Sequence, residues 1–354
     1  MDTSIKLVWR TDLHLADKAP QSRVDDWTET LLGKLNQVGE IAREVGAAAV
    51  LDGGDFFHVK SPTRNSHSLT HRAVAAHAEY PCPVFATIGN HDVKYGDYSF
   101  LAEQPMGVLF ETGVFNRCYD EHEVFFVHQS GNMLPSVFPF DKKGGWVNGN
   151  PFSIPKDQRG PIVRVKGIPY HGVHYDADRF NNIEKGEEDY LVVIAHVLAS
   201  QAGGTMFESE DIVTYGHLKG HPASAWCFGH WHKDQGVTEI TPGKWVVNVG
   251  SLSRGSLHQD ELQRIPSVAI LKFTNQGIEI EQRNLDVLPP EKVFDISGRQ
   301  RMDIRQETMA VFVDQFKKDL EESQGKPIPD TIMGMEDTPQ NVKERALEYW
   351  EEAG

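Results

Sequence analysis

A chain of 354 residues, 39% hydrophobic and 24% charged, has the composition of a globular protein and length enough for one large core or a core with an appendage. Its formal net charge of −16 argues against a protein that binds polyanions through overall charge, and no apolar run is long enough to cross a bilayer. Three cysteines, Cys82, Cys118 and Cys227, have neither paired nor zinc-type spacing, which excludes a disulfide framework and points to a reducing compartment.

The opening MDTSIKLVW lacks the regions of a signal peptide, so a cytoplasmic location is expected. Residues 5–10, IKLVWR, read as a strand that runs into TDLH. Trp27, Leu31, Leu35, Val38 and Ile41 then recur at helical spacing, predicting a helix over 26–45. AAAVLDGGD is a second strand leaving its core on an acid. A helix is predicted over 66–79, and PVFATIGNHD is a third strand with a polar exit. Strand and helix alternate here, as in an α/β protein with a largely parallel sheet, whose functional loops lie at the carboxyl ends of its strands.

The second half is β-rich. EVFFVHQ, PIVRVKGIPY, LVVIAHV, ASAWCFGHWH, KWVVNVGSL, VAILKF and GIEIEQRNL read as short strands with little room for helices between them. Residues 130–161, crowded with Gly, Pro and Asn, read as a long loop or small insertion. Near the end, Met309, Phe312, Val313, Phe316 and Leu320 form the apolar stripe of one helix. A Gly/Pro linker, GKPIPDTIMGMEDTP, separates it from a last helix near 340–352. The boundary is set at 1–290 for the main domain and 291–354 for a small helical region. From Arg301 onward 13 acidic residues face 7 basic ones, so −6 of the net charge lies there.

The polar residues at the strand exits form a series: Asp12 and His14, Asp55, Asn90 and His91, His196, and His230 with His232. Residues two apart in extended chain face one side, so each DxH or HxH pair can offer two side chains to one pocket. Imidazole, carboxylate and amide oxygen without thiolate suit Mn²⁺, Fe²⁺ or Zn²⁺ better than a structural zinc knot or a calcium cage. Seven ligands exceed one ion's needs, and two ions sharing a carboxylate fit better. Each piece alone has an ordinary reading: a turn for GGD, a core histidine for His196, an edge-strand pattern for GHWH. Their joint occurrence, in order and each at a strand end, favours metal binding.

The ordered series DLH, GGD, GNHD, AH and GHWH resembles the calcineurin-like metallophosphoesterase superfamily across roughly residues 5–260. The resemblance implies a four-layer α/β/β/α double β-sandwich with a dinuclear site at the sheet edge. It implies that Asp12, His14 and His232 bind one ion, that Asn90, His196 and His230 bind the other, and that Asp55 bridges them. His91 would face the substrate phosphate and Asp92 would orient it from behind. Mn²⁺ is the expected ion, with Fe²⁺, Mg²⁺ or Zn²⁺ as alternatives.

A narrower resemblance lies in GGDFFHVKSPTRNSHSLTHR and NVGSLSRGS, which are similar to the SbcD-type nuclease branch. It implies that His58 lies beside the metals and helps place DNA, with helix entry as the plainer alternative. It implies exonuclease and endonuclease action in break repair, recombination or replication, in a bacterial cytoplasm or phage-infected host cell. DNA, an SbcC-like coiled-coil ATPase and a second copy of the chain are the expected partners. Lys60, Arg64 and Arg254 are the candidate DNA contacts, with Lys142, Lys143, Lys156, Arg159 and Lys233 nearby in sequence; each is equally readable as solvated surface. A phosphoesterase of small molecules, and a non-catalytic scaffold on the same fold, are the competing readings.

Overall fold

Strand β1 (Ile5–Arg10) is buried along nearly its whole length because it runs through the middle of a six-stranded sheet. On one side β2 (Ala49–Asp52), β3 (Val84–Ala86) and β4 (Phe115–Arg117) follow in parallel. On the other, β15 (Ser267–Thr274) and β16 (Gly277–Asn284) add antiparallel strands. The computed structural model describes residues 3–58, 65–203, 209–296, 328–335 and 338–353. The chain divides into two units, Met1–Phe294 and Asp295–Gly354.

Eight more strands form a second sheet: β5 (His122–Gln129), β6 (Ser136–Asp141), β7 (Gly145–Trp146), β8 (Arg159–Ile168), β9 (Tyr190–His196), β12 (Ala225–Gly229), β13 (Gly236–Thr241) and β14 (Lys244–Asn248). Their order is β13-β14-β12-β9-β8-β5-β6-β7. The central β14, β12, β9 and β8 are parallel. A short pair, β10 (Ala199–Ser200) and β11 (Val213–Thr214), stands apart.

Alternation places one face of each sheet inward. Leu7, Trp9, Leu51, Phe85 and Leu271 meet Phe126, Val163, Val192, Ile194 and Cys227 in a single buried cluster between the sheets. Each such side chain contributes roughly 1.5–3 kcal/mol through removal from water. The opposite face of the first sheet, including Val8 and Val50, is covered by α1 (Trp27–Val45) through Leu31, Leu35 and Val38. That helix starts where Asp26 accepts the Glu29 N–H at 3.1 Å, and it ends at Gly46, whose φ of 65° a side chain would disfavour. Helix α2 (His67–Ala78) is capped in the same way by Ser66 and packs beside α1. The outer face of the second sheet is covered by Phe180, Tyr215 and Leu218 from short helices at Ala177–Asn181 and Tyr215–Leu218. The expected α/β/β/α layering is present, with one helical layer reduced to short pieces.

One expectation is resolved and another corrected. Of the two readings of residues 130–161 the small insertion holds, because β6 and β7 extend the second sheet there. Phe125, Phe138, Phe140, Trp146 and Phe152 gather into a small aromatic core of their own. Glycines and prolines masked the alternation of Phe138, Phe140 and Trp146. The 325–339 linker contains a helix, Ile328–Gly334, in the unit that also holds the helix Gln340–Ala353. The helix expected around Met309–Leu320 lies outside the described residues. Among the described residues no helix is long and apolar enough to cross a membrane.

The parallel strands β1, β2, β3, β9 and β12 bring their exits together. Leu15 N–H reaches the Phe56 carbonyl at 2.8 Å, and His58 N–H the Leu15 carbonyl at 3.1 Å, so the first two exit loops run side by side. Gly54 has a φ of 87°, and a Cβ there would stand 2.4 Å from the Gly89 backbone nitrogen. The GGD glycines let the second and third exits touch.

Candidate metal centre

Asp12, Asp55 and His196 are almost wholly buried, whereas His232 leaves 42% of its side chain exposed. Asp12, His14, Asp55 and His230 all adopt left-handed backbone, with φ between 50° and 83°, which is uncommon for non-glycine residues and concentrated here. Those turns point side chains from different strands at one another. Ligand atoms of Asp12, His14 and His232 lie within 4.8 Å of each other, as do those of Asp55, His196 and His230. Asp55 Oδ2 is 3.3 Å from His196 Nε2 and 3.8 Å from His14 Nε2, so one carboxylate reaches a histidine of each group. Asn90 Oδ1 stands 3.3 Å from His196 Nε2. A third group brings together His14, His58 and His91.

The hydrogen-bond partners behind these side chains fix their orientation. His196 Nδ1 faces the Gly53 carbonyl at 2.7 Å, which turns Nε2 toward Asp55 and Asn90. Asp12 Oδ2 accepts from Thr11 Oγ1 at 2.6 Å and from the His230 N–H at 3.0 Å. The His91 N–H donates to Asp55 Oδ1 at 2.6 Å, and His91 Nδ1 lies 2.9 Å from the His58 carbonyl. Burial opposes a charge on His196, yet the adjacent, hydrogen-bonded Asp55 raises its pKa to about 10. Burial likewise opposes ionisation of Asp55, but His196, His91 and His14 hold its carboxyl well below the ordinary range. Burial and His232 lower His14, which keeps that imidazole neutral.

This donor set fits divalent cations. His14 Nε2 and His232 Nε2 face each other at 2.8 Å, with Asp12 Oδ1 3.8 and 3.7 Å away, so two imidazole nitrogens and a carboxylate converge on one point. Buried nitrogen and oxygen donors without sulfur suit Mn²⁺, Fe²⁺ or Zn²⁺.

The sequence model of one family, calcineurin-like phosphoesterase, matches residues 5–234. The chain belongs to the calcineurin-like phosphoesterase family. As such it is a hydrolase of phosphate esters, and its converging His/Asp groups are this family's candidate ligands for two metal ions. Many solved structures are similar to it, two of which illustrate the likeness. One is TT1561 of Thermus thermophilus, 12% identical with a TM-score of 0.40, the match covering 79% of this chain and 99% of that one. The other is a dimetal phosphatase from Danio rerio, 10% identical with a TM-score of 0.45, covering 79% and 96%. No curated protein sequence matches the chain.

Within this calcineurin-like phosphoesterase two residues depart from their expected roles. Asp92 does not stand behind the His91 ring at Nδ1, where the His58 carbonyl lies instead. Its carboxylate accepts the backbone N–H of Asp55 at 2.7 Å, Gly89 at 2.9 Å and Phe57 at 3.1 Å. It pins the GGD and GNHD loops together. Arg254 is 3% exposed: its Nη2 donates to the Leu288 carbonyl at 2.7 Å and its guanidinium packs over Phe294, so it is withdrawn from any DNA surface. Lys60 and Arg64 lie outside the described residues. Lys142, Lys143, Arg159 and Lys233 stand against Glu123, Glu121, Asp189 and Asp260.

The NVGSLSRGS segment is a clamp. Its N–H groups at Ser251, Leu252 and Ser253 reach the carbonyls of His232, Thr11 and Asp12. Its own carbonyls are held by buried basic side chains: Leu252 by Lys34 at 2.6 Å, Arg254 by Arg23 at 2.7 Å, and Ser251 and Ser253 by Arg264. Arg264→Ala strands two buried carbonyls and the Glu261 carboxylate, and is expected to destabilise the fold by about 3–5 kcal/mol. Urea denaturation measures it; a loss below about 1 kcal/mol would refute the clamp.

Sequence reading missed Arg10, whose Nε meets Asp52 Oδ2 at 2.7 Å in a fully buried pair beneath the GGD loop. It also missed Glu210, 2.8 Å from His230. A cavity of about 430 Å³ opens beside the centre, lined by His14, His58, His232, Trp27 and Trp231 among others.

Proposed function

We propose that this phosphoesterase is a DNA nuclease, cleaving phosphodiesters exonucleolytically and endonucleolytically as SbcD-type enzymes do. The observation that carries the reading is His58. It ends the GGDFFH stretch exposed at the mouth of the site, with Nδ1 3.2 Å from His14 Nδ1 and its ring stacked on His91 at 5.2 Å. A side chain there can touch a polynucleotide next to the scissile phosphate, whereas a helix-entry residue would face away.

Asp12, His14 and His232 would hold one ion, Asn90, His196 and His230 the other, and Asp55 both. Bound ions, Mn²⁺ on this reading, would offset phosphate charge and make water a stronger nucleophile. His91 donates a proton to the leaving oxygen, its ring set by the His58 carbonyl. The cavity beside His14 and His232 has room for a nucleotide on one side of that bond, with Trp231 as a surface for a base. An acidic chain needs help to stay on DNA, which supports an SbcC-like ATPase and a homodimer as working partners.

The test is degradation of linear duplex and single-stranded DNA with and without manganese, beside hydrolysis of bis(p-nitrophenyl) phosphate. The expected result is manganese-dependent DNA cleavage. His58→Ala should reduce it by about 10-fold or more while sparing the small diester, a loss typical of a misplaced substrate. Cleavage of the small diester with every DNA form intact would establish the alternative, a small-molecule phosphoesterase, which the net charge of −16 favours.

A further inference from the structure

Glu210 belongs to none of the motifs, yet its carboxylate is placed behind one of their histidines. Its side chain is 9% exposed, and Oε1 lies 2.8 Å from His230 Nε2. The same oxygen accepts the Tyr175 hydroxyl at 3.0 Å, and the Tyr175 oxygen accepts the Leu198 N–H at 2.5 Å. Leu198 is two residues beyond His196. A continuous path therefore runs from the exit of β9, through Tyr175 and Glu210, to the histidine at the exit of β12. Tyr175 is itself held, its N–H donating to Asp211 Oδ2 at 2.9 Å while the Asp211 N–H reaches the Val173 carbonyl at 2.8 Å. On another side of His230 the Tyr170 ring lies 5.3 Å away, limiting rotation of the imidazole.

A neutral imidazole carries one N–H and one lone pair, and whatever accepts the N–H decides which nitrogen is the ligand. At His196 the Gly53 carbonyl occupies Nδ1 and leaves Nε2 for the cluster. At His230 the arrangement is reversed, with Glu210 on Nε2. We infer that Glu210 is a positioning residue: it accepts the Nε2–H of His230, commits Nδ1 to the ion shared with Asp55 and His196, and through Tyr175 ties the two histidines to one geometry. Its negative charge also makes that imidazole a stronger donor. The inference rests on the two-ion phosphoesterase site above, and adds to it the residue that tunes one ion against the other.

The experiment is Mn²⁺ binding by titration calorimetry, with metal content by mass spectrometry, on full-length wild type and the variants Glu210→Gln, Glu210→Ala and Tyr175→Phe. Wild type is expected to take up two ions. Glu210→Ala should weaken one of them by about 10–100-fold and leave the other within about two-fold. Glu210→Gln should fall between, because an amide oxygen still accepts the N–H without the charge, and Tyr175→Phe should show a smaller loss at the same ion. If Glu210→Ala does not fold, Glu210→Gln decides the matter: wild-type affinity at both ions overturns the inference, as does equal weakening of both. A wild type that folds but takes up fewer than two ions overturns the site assignment itself, whereas failure confined to the variants overturns only the role of Glu210.

Discussion

His91→Ala is expected to lower phosphodiester hydrolysis by about 10²–10⁴-fold while two metal ions per chain remain bound. That range is what a positioned general acid contributes. The separation of rate from metal content follows from the contacts. The His91 backbone N–H supports Asp55, and alanine keeps that N–H. The side chain points elsewhere, with Nδ1 at the His58 carbonyl and the ring edge-on to His14 at 5.0 Å. With His91 as the proposed proton donor, removing the ring should take away that donor without dismantling the carboxylate that joins the two groups. Rates with bis(p-nitrophenyl) phosphate and metal analysis of the same sample make the measurement. A variant that emerges without metal would show His91 to be a ligand instead.

Asp55→Asn is expected to do the opposite, losing metal first and activity as a result. Asp55 is the one carboxylate among the described residues whose oxygen reaches both His14 and His196. An amide presents a single weaker oxygen, and its NH₂ hydrogens would oppose any cation at the other position. Manganese content should fall below two per chain and activity by at least about 10²-fold, the scale on which electrostatic stabilisation of a reacting anion acts. The fold should persist, because the Asp55 N–H still reaches Asp92 and its loop remains pinned. Metal analysis with circular dichroism checks both statements. Two ions bound at wild-type affinity would refute the shared-carboxylate assignment.

Most of this centre was legible in the sequence because its elements are local. A polar residue directly after an apolar run marks a strand exit, and five such exits in order supply the candidate ligands whatever the sheet order. What sequence could not show is depth and long-range pairing. Arg254 reads as a basic residue beside a motif, and nothing in SLSRGS announces that it is buried against Phe294 with its carbonyl held by Arg23. Asp92 is adjacent to His91 in sequence, which invited a direct pairing, but the turn sends its carboxylate to the N–H groups of a different loop. Glu210 lies 20 residues before His230 in a stretch without motif, so only folding brings the two together. Charge totals were the least informative signal, because among the described residues the basic side chains near the site are largely consumed by neighbouring carboxylates and carbonyls.

The left-handed backbone at Asp12, His14, Asp55 and His230 bears on how such a centre is kept. A side chain in that conformation costs about 1 kcal/mol relative to glycine, four times over in one small region. No gain in packing accompanies it, since each of these residues spends its polar atoms on the centre. The molecule thus tolerates local tension at the positions that aim these candidate ligands at one another. Glycine at those four positions would relieve the tension, so its cost belongs to the chemistry of the site and not to the packing of the fold.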